Sequence, residues 1–287
     1  MKHNRNTVNL PLLHQRPDAI AIDLDGTLFN SQTQISRRNS KAIEKCLAQG
    51  IPVIIATSRP ARSVHRLVGA ELEKRCSLVL QNGAIGIGAL PLAGRIKEII
   101  PSALTRDIIK AILQMEPEMR ITIELEGYSF GTNRPRNPDE LWAINSATPD
   151  MQLSIEEALT QEATKIAGGG LNRNISHVAD EISQRFNDAI SVVPANDMTF
   201  LNITSKTATK TNTLRKLLHS QNISLDNVVA FGDDIPDVDM LKACGISIAV
   251  ANAVPEVKAI TTYCTASNDE DGVAIALEKI LLQKPLP

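Results

Sequence analysis

Both ends of the chain alternate short apolar segments with amphipathic ones. Continuous apolar runs are typical of parallel strands buried on both faces, and apolar residues three or four positions apart indicate helices that pack on such a sheet. The pattern predicts strands at residues 19–23, 52–57, 78–81, 228–233 and 246–250. It predicts helices at residues 37–49, 61–67, 211–219, 237–243 and 272–282. This alternation predicts a doubly wound, Rossmann-like α/β core with a parallel sheet.

The middle of the chain follows a different pattern. Residues 120–126 read Arg-Ile-Thr-Ile-Glu-Leu-Glu, and this alternation is typical of a strand with one solvent-exposed face. We therefore expect an α/β cap domain at residues 86–196, inserted into a core of residues 18–85 and 197–287. Residues 1–17 are mostly polar and are expected to form an N-terminal tail, either loose or docked on the body or on a partner.

Composition argues against several classes of function. A net charge of -2 and an aromatic content of 3% disfavour binding to nucleic acid. No apolar run is long enough to span a membrane or to form the core of a signal peptide. The four cysteines lack the spacing of metal or redox sites, so we expect a cytoplasmic protein. A chain of 287 residues is long enough for two domains, and its oligomeric state stays open.

Polar side chains stand where the predicted core strands end. Asp23 ends the first strand, and Asp25 lies two residues further on. Thr57 ends the second strand and Ser58 follows it, and Asp233 ends the fourth. Because the carboxyl ends of parallel strands meet at one edge of a sheet, we expect these side chains to converge. Asp23 and Asp25 are two positions apart and point to the same side, where their charges repel unless a cation is bound. The pattern favours a carboxylate nucleophile, a second carboxylate for proton transfer and a divalent metal.

Six segments of the chain resemble, in order and spacing, the motifs of the haloacid dehalogenase superfamily, and in particular those of its Cof-type sugar-phosphatase branch. The similarity extends over about residues 18–282. The matching segments are residues 23–28 (Asp-Leu-Asp-Gly-Thr-Leu), 56–60 (Ala-Thr-Ser-Arg-Pro), 81–84 (Gln-Asn-Gly-Ala), 209–210 (Thr-Lys), 232–237 (Gly-Asp-Asp-Ile-Pro-Asp) and 268–274 (Asn-Asp-Glu-Asp-Gly-Val-Ala). The resemblance implies a Rossmann-like core and a cap inserted between the second and third motifs.

The resemblance also implies a role for each matching polar residue. Asp23 would attack phosphorus and form an aspartyl-phosphate. Asp25 would protonate the leaving oxygen and then activate water. Thr57, Ser58 and Lys210 would bind the phosphoryl group, the last by neutralising its charge. Lys206, four residues earlier, is the alternative candidate for the role of Lys210.

The same resemblance implies a magnesium site. Its ligands would be the carboxylates of Asp23 and Asp233 and the backbone carbonyl of Asp25, while Asp237 would hold the water shell of the metal. Oxygen ligands supplemented by water and phosphate suit Mg²⁺.

One position departs from the pattern of the branch. Where the fourth motif usually carries Asn before its final Asp, this chain has Pro236. Proline offers neither a carboxamide nor an N–H donor. The loss of one such donor is expected to cost roughly two orders of magnitude in rate.

The resemblance implies a Mg²⁺-dependent phosphatase that acts on small phosphate monoesters, with sugar phosphates first among them. A phosphomutase would use the same aspartyl-phosphate chemistry, and Pro236 motivates a weakly active regulatory or binding member; both alternatives stay open. A dehalogenase is disfavoured because Thr57, Lys210 and the acidic fourth motif suit a dianionic phosphate with Mg²⁺. The substrate itself cannot be read from the sequence, and the candidate cap contacts are Asn133, Arg134, Arg136 and Trp142.

Overall fold

The computed structural model describes residues 10, 16–195 and 197–282, and within them the chain forms two β-sheets with helices packed on both. The strands are β1 (Ala19–Ile22), β2 (Val53–Ala56), β3 (Ser77–Leu80), β4 (Ile85–Ile87), β5 (Arg95–Lys97), β6 (Arg120–Leu125), β7 (Ser129–Thr132), β8 (Gln152–Ser154), β9 (Lys165–Gly169), β10 (Ile190–Ala195), β11 (Phe200–Ser205), β12 (Val228–Gly232), β13 (Ile246–Ala249) and β14 (Tyr263–Cys264). The helices are α1 (Arg37–Ala48), α2 (Ala61–Val68), α3 (Ala70–Glu73), α4 (Ser102–Met115), α5 (Pro138–Glu140), α6 (Ile155–Ala158), α7 (Ser176–Arg185), α8 (Lys210–His219), α9 (Val238–Ala243), α10 (Pro255–Ile260) and α11 (Gly272–Leu282).

The larger sheet has the strand order β14-β13-β12-β1-β2-β3-β4-β5. Strands β14 to β3 are parallel, and β4 and β5 continue the sheet as antiparallel strands. From β1 the chain builds β2 and β3 on one side and returns later to build β12 and β13 on the other. The carboxyl end of β1 therefore lies at the point where the strand order reverses, which is where open α/β sheets bind ligands.

Alternate residues of β1 serve two different apolar layers. Ile20 and Ile22 pack into a cluster that includes residues of α1 and α11, whereas Ala19 and Ala21 pack into a cluster that includes residues of α8 and α9. This is the two-residue period of a strand buried on both faces. The predicted doubly wound α/β core is confirmed, although the sequence pattern did not predict the antiparallel strands β4 and β5.

The smaller sheet has the strand order β10-β11-β9-β6-β7-β8 and is mainly antiparallel. One face of β6 carries Ile121 and Ile123, which pack with apolar residues of α4 and α7. The other face of β6 carries Arg120, Thr122 and Glu124. We call this second side of the smaller sheet its open face, because no helix of that cluster covers it.

Sheet membership differs from the boundaries expected for the inserted domain. Strands β4 and β5, at residues 85–97, belong to the larger sheet, and β11, at residues 200–205, belongs to the smaller one. A Cβ atom at Gly86 would lie 2.7 Å from Cγ2 of Thr213, so the absence of a side chain there lets β4 lie against α8. We propose residues 98–206 as the cap, in place of 86–196, and the rest of the described chain as the core.

Two further expectations concern the ends of the chain and the membrane. Most of the predicted tail lies outside the described residues; of those that are described, Leu10 is buried in the apolar cluster of α1 and α11. Among the helices that the structure describes, none combines the length and the apolar character that crossing a membrane requires.

A buried ion pair joins the core to the cap. Arg62 on α2 donates two hydrogen bonds of 2.7 Å to the carboxylate of Glu124 on β6, and the two side chains are only 3% and 6% exposed. Arg62 also donates to the carbonyl oxygens of Asn145 and Tyr128, and its guanidinium lies 4.6 Å from the centre of the Phe130 ring. Every described partner of this guanidinium belongs to the cap, so this side chain links α2 to the open face.

We predict that Arg62→Met lowers the free energy of unfolding by about 3 kcal/mol, because it leaves the Glu124 carboxylate buried without its cation. The double variant Arg62→Met/Glu124→Leu is expected to recover much of this loss, since no buried charge remains. Urea denaturation measures both values.

The matched control is Arg38→Met, which breaks the ion pair of Arg38 with Glu278 between α1 and α11. These side chains are 46% and 33% exposed, and such a pair contributes about 1 kcal/mol or less. Equal losses for Arg62→Met and Arg38→Met would show that the buried pair does not tie the cap to the core.

Candidate active site

The turn after β1 fits closely against the loop after β12. Asp23 follows β1 in extended conformation, and Gly26 in the turn has a φ of +81°. A Cβ atom at Gly26 would lie 2.2 Å from Oδ2 of Asp233, so this position excludes any side chain. Thr27 donates its hydroxyl hydrogen to Oδ1 of Asp233 at 2.7 Å, and Asn252 donates to the carbonyl oxygen of Gly26 at 2.7 Å. The turn thus positions Asp233 beside Asp23.

A buried lysine lies between two buried carboxylates. Lys210 is the first residue of α8, whose start is capped by the side chain of Thr209. Its ammonium group donates to Oδ1 of Asp23 and to Oδ1 of Asp237, both at 2.6 Å. The three side chains are 4%, 9% and 2% exposed, respectively. Lys206, the alternative candidate, is exposed and lies after β11.

Asp237 also holds the loop that carries Asp233. Its Oδ2 atom accepts hydrogen bonds from the backbone N–H groups of Asp233 at 3.1 Å and of Asp234 at 3.3 Å. A Cβ atom at Gly232 would lie 2.7 Å from Cβ of Asp237, so the glycine at the end of β12 allows this approach. Lys210 and the loop therefore use both oxygens of one carboxylate.

The cluster contains more negative than positive charge. Carboxylate oxygens of Asp23, Asp233 and Asp237 all lie within 4.8 Å of one another, and Lys210 supplies one positive charge to the three. Burial, with the charge of Asp237, raises the pKa of Asp23 well above its usual range, although Lys210 opposes this. Burial raises the pKa of Asp233 to about 6. Three crowded carboxylates, with the pKa values of Asp23 and Asp233 raised, fit a hard divalent cation, which prefers oxygen ligands.

The carboxylate of Asp25 has a different partner from the rest of the cluster. It is 44% exposed and accepts two hydrogen bonds from Arg59, at 2.6 Å from Nη2 and at 2.8 Å from Nε. The Arg59 guanidinium lies 5.8 Å from the centre of the Phe29 ring. The structure therefore places the second predicted catalytic carboxylate at the solvent side of the site, held by a guanidinium. Its role as a metal ligand through the backbone carbonyl stays a prediction.

The two predicted phosphate donors lie at the end of β2. Thr57 is fully buried, and its Oγ1 atom accepts the backbone N–H of Arg59 at 3.1 Å, so its hydroxyl hydrogen is free to donate. Ser58 is half-buried, and its carbonyl oxygen accepts the ammonium of Lys165 from the cap at 3.4 Å. Strand β2 neighbours β1 in the sheet, which brings both residues to the same edge as Asp23.

A cleft of about 420 Å³ separates this edge of the core from the open face of the cap. Its walls include Ser58 and Arg59 from the core and Lys165, Phe200 and Asn202 from the cap. Sequence reasoning did not single out these cap residues. The one available signal was the polar side of the alternating pattern at 120–126, which carries Glu124 in the same cleft.

The four cap residues expected to contact the substrate have different surroundings. The side chain of Asn133 bonds the backbone of β6 and of Met119, and Arg134 pairs with Glu118. Trp142 is 52% exposed, and its ring lies 4.6 Å from the guanidinium of Arg66. Arg136 lines a smaller cavity of about 230 Å³ on the open face. The structure places only this last residue, among the four, against a described cavity.

Comparison with known proteins supports the resemblance. The chain matches the sequence model of the haloacid dehalogenase-like hydrolases over residues 20–277. "Endoribonuclease YBEY, chloroplastic" from Arabidopsis thaliana is 30% identical over 268 residues, and the match covers 90% of this chain and 45% of that protein. The chain thus spans less than half the length of this relative.

Two other similar proteins match over almost their whole length. The 5-amino-6-(5-phospho-D-ribitylamino)uracil phosphatase YwtE from Bacillus subtilis is 26% identical, covering 91% of this chain and 97% of that protein. The crystal structure of a haloacid dehalogenase-like hydrolase from Bacteroides thetaiotaomicron is 25% identical, with a TM-score of 0.79, and covers 92% of this chain and 100% of that one. The resemblance to the superfamily drawn from the motifs is confirmed.

We predict that Gly26→Ala abolishes stabilisation of the protein by divalent metal, because the new methyl group would occupy the position of the Asp233 carboxylate. The measurement is the shift in melting temperature on adding MgCl₂. The matched control is Gly50→Ala: Gly50 has a φ of +73°, but a Cβ atom there would meet nothing within 4 Å. In both variants the new side chain at a positive φ should lower the free energy of unfolding by about 1 kcal/mol. Only Gly26→Ala should also lose the response to MgCl₂. A normal MgCl₂ shift in Gly26→Ala would contradict the geometry of the site.

We predict that Asp233→Asn stabilises the metal-free protein. The folded-state pKa of Asp233 is raised to about 6 from an ordinary value of 3.8, so its ionisation costs stability as pH rises through this window and costs nothing below it. The free energy of unfolding of the variant should exceed that of the unmodified protein by about 1 kcal/mol near pH 7.5 and by nothing near pH 4. The value near pH 7.5 is reduced because Asp233 is partly exposed to solvent.

Urea denaturation in the presence of a chelator measures this gain at both pH values. Asp180→Asn, at an exposed position of α7, is the control and should change neither. A gain of the same size at both pH values, or a loss near pH 7.5, would contradict the raised pKa of the buried Asp233 carboxyl group.

Proposed function

The chain belongs to the haloacid dehalogenase-like hydrolases, and we propose that it is a Mg²⁺-dependent phosphatase that hydrolyses small phosphate monoesters, with sugar phosphates first among them. The observation that carries the proposal is the buried Lys210 between Asp23 and Asp237, with Asp233 within reach of both. The name of the relative YwtE, which specifies a phosphorylated ribityl compound, supports a small monoester as substrate. The free cysteines of the described chain support a cytoplasmic location.

The phosphoryl group would bind at the carboxyl edge of the larger sheet. The free hydroxyl hydrogen of Thr57 and the charge of Lys210 are the donors that this edge offers to phosphoryl oxygens, together with the half-buried Ser58. Donors that are fixed before the substrate arrives stabilise the charge of the transition state without reorganisation. Lys210 is fixed in this way, because two carboxylates hold its ammonium group.

Asp23 would be the nucleophile. One of its carboxylate oxygens forms a bond to phosphorus while the bond between phosphorus and the ester oxygen breaks, which yields an aspartyl-phosphate and an alkoxide. The positive charge of Lys210 favours the ionised form of the nucleophile, since it opposes the rise in the pKa of Asp23 that burial causes. The positive charge of Lys210 would also stabilise the phosphoryl group while it is transferred to Asp23.

Asp25 would transfer the protons. As an acid it gives its proton to the leaving oxygen, and as a base it then accepts a proton from the water that attacks phosphorus and releases phosphate. The Arg59 guanidinium holds this carboxylate at the solvent side of the site. The carboxyl group must therefore exchange one hydrogen bond with Arg59 for one with the substrate oxygen. Arg59 is a positioning residue in this account.

Magnesium would be held by Asp23 and Asp233, with Asp237 supporting the loop and the backbone carbonyl of Asp25 as a further ligand. When bound, the ion supplies positive charge that neutralises these carboxylates and the phosphoryl oxygens. The cap would exclude water from the cleft and select the leaving group, because its open face forms the opposite wall.

We predict that the purified protein releases phosphate from sugar phosphates in the presence of MgCl₂ and not in the presence of a chelator. Asp23→Asn should lower kcat by at least about 10³-fold, because it removes the attacking oxygen anion. Phosphate release from a panel of monoesters measures both effects. Asp180→Asn, far from the cluster on α7, should retain full activity.

Two outcomes would contradict this function. A folded protein that releases no phosphate from any monoester is not a phosphatase, and isomerised sugar phosphate with little free phosphate would identify a phosphomutase. Full activity of Asp23→Asn would exclude the proposed nucleophile.

We predict that Pro236→Asn raises kcat/KM by about 10- to 100-fold, because it adds a carboxamide donor to the site. Pro236 is exposed, lies within the short helical turn Ile235–Asp237 that Asp234 caps, and lines the same cavity as Lys210. Because Pro236 stands in the first turn of a helix, where backbone N–H groups have no partner within the helix, its lack of an N–H costs little stability. Pro236→Ala restores the N–H without the carboxamide and is the matched control. No gain for Pro236→Asn over Pro236→Ala would show that proline is not what limits the activity.

A further inference from the structure

The open face of the cap carries positive charge that the reaction described above does not use. The cavity of about 230 Å³ on this face is lined by Arg120 on β6, Arg136 after β7 and Lys165 on β9. The acid in its wall is Glu124, and both oxygens of that carboxylate already accept hydrogen bonds from Arg62. The three cations therefore face a shared space in which the negative charge is already paired.

Two polar atoms in this cavity are buried without a hydrogen-bond partner among the described residues. They are Nη1 of Arg120 and Oδ1 of Asn145. Within the same part of the chain, neither Arg120 nor Arg136 has a carboxylate at ion-pair distance. A buried guanidinium nitrogen without an acceptor is costly, and an anion with two oxygens is the partner that a guanidinium binds best.

Arg136 is held in place close to Arg120. Its backbone N–H donates to the side chain of Gln152 at 3.0 Å, and its carbonyl oxygen accepts from the same side chain at 3.3 Å. Burial, together with the charge of Arg120, lowers the pKa of Arg136 from its usual value, and Glu140 opposes this in part. The two guanidinium groups thus repel each other across the cavity, and an anion between them would remove the repulsion.

The glycines at the end of β9 keep the cavity open. A Cβ atom at Gly169 would lie 2.5 Å from the ring of Phe200, and one at Gly170 would lie 3.7 Å from Cβ of Arg120. Gly170 also has a φ of +87°, which disfavours a side chain. The two glycines belong to the run Gly168–Gly170. In the structure it leaves room between an aromatic ring and Arg120.

The cavity continues into the cleft that reaches the core. The cavity and the cleft share five lining residues, which are Glu124, Ile144, Asn145, Lys165 and Phe200. The cleft extends to Ser58 and Arg59, the second of which binds Asp25. A molecule with one end at the carboxylate cluster could therefore place its other end among the three cations.

We propose that Arg120, Arg136 and Lys165 form a distal anion site that binds a second acidic group of the substrate, a phosphate or a carboxylate. The proposal rests on the proposed function for the position of the first phosphate, and it narrows the substrates to sugar bisphosphates and phosphorylated sugar acids. The apolar walls of Phe200 and Ile144 would face the carbon chain between the two acidic groups. The distal site thereby selects substrates without touching the reacting atoms.

Isothermal calorimetry with the Asp23→Asn protein in MgCl₂ tests the distal anion site without turnover. The phosphate arm compares fructose 1,6-bisphosphate with fructose 6-phosphate, and the carboxylate arm compares 6-phosphogluconate with glucose 6-phosphate. In at least one arm the second acidic group should lower Kd by about tenfold or more. The arm that shows the effect identifies the source of the anion.

Adding Arg120→Gln or Arg136→Gln to this protein should reduce the preference to less than about threefold, and either variant alone suffices if the other fails to fold. Arg134→Gln is the matched control, because this arginine of the same loop pairs with Glu118 outside the cavity. Equal Kd values within both pairs of ligands would overturn the proposal, as would a preference that survives in both arginine variants. Failure of the proposed function is read separately, from the absence of phosphate release by the unmodified protein.

Discussion

The buried contact of Lys210 with Asp23 and Asp237 is the interaction on which the rest of the site depends. Two carboxylates and one ammonium group in a dry environment are tolerated only because each ion has a partner at hydrogen-bond distance. The second oxygen of Asp237 holds the backbone of the next loop, and that loop presents Asp233 to the turn at Gly26. The lysine thus sets the positions of the nucleophile and of the loop at once. The three carboxylates of the cluster carry two more negative charges than Lys210 balances, which is why a divalent metal fits there.

A second buried ion pair, between Arg62 and Glu124, performs the corresponding task between the two units of the protein. It occupies the acid of the open face and so leaves Arg120, Arg136 and Lys165 as unneutralised charge on the cap. The cleft therefore has a different character at each end. At the core end, Arg59 in the cleft wall binds Asp25, at the same sheet edge as the carboxylates that need a cation. At the cap end, Arg120, Arg136 and Lys165 are cations that need an anion. A substrate with two acidic groups, bound together with a metal, would satisfy both ends.

Much of the core could be predicted from the sequence, because buried strands, helices and the turns between them are local patterns. The convergence of Asp23 and Asp233 followed from the rule that strand ends meet at one edge, whereas Lys210, the first residue of α8, was implied by the resemblance alone. The cap was harder to predict, since its open face is assembled by strand register: Arg120 lies opposite Gly169, and Asn202 opposite Ala167. Asn133 and Arg134 had the right chemistry for substrate contacts, but tertiary packing gives them other partners. Sheet membership departs from the expected boundaries of the inserted domain because a two-stranded extension of a sheet and a change of domain look alike in sequence.

The most direct test of the account is to trap the covalent intermediate. The protein is mixed with a sugar phosphate and MgCl₂, quenched in acid, and digested, and the phosphorylated peptide is identified by mass spectrometry. The account predicts acid-stable phosphate on the peptide that contains Asp23, more of it in Asp25→Asn, where breakdown of the intermediate is slowed, and none in Asp23→Asn. Turnover without any phosphorylated peptide in either the unmodified protein or Asp25→Asn, or phosphate on a different residue, would contradict the assignment of Asp23 as the nucleophile.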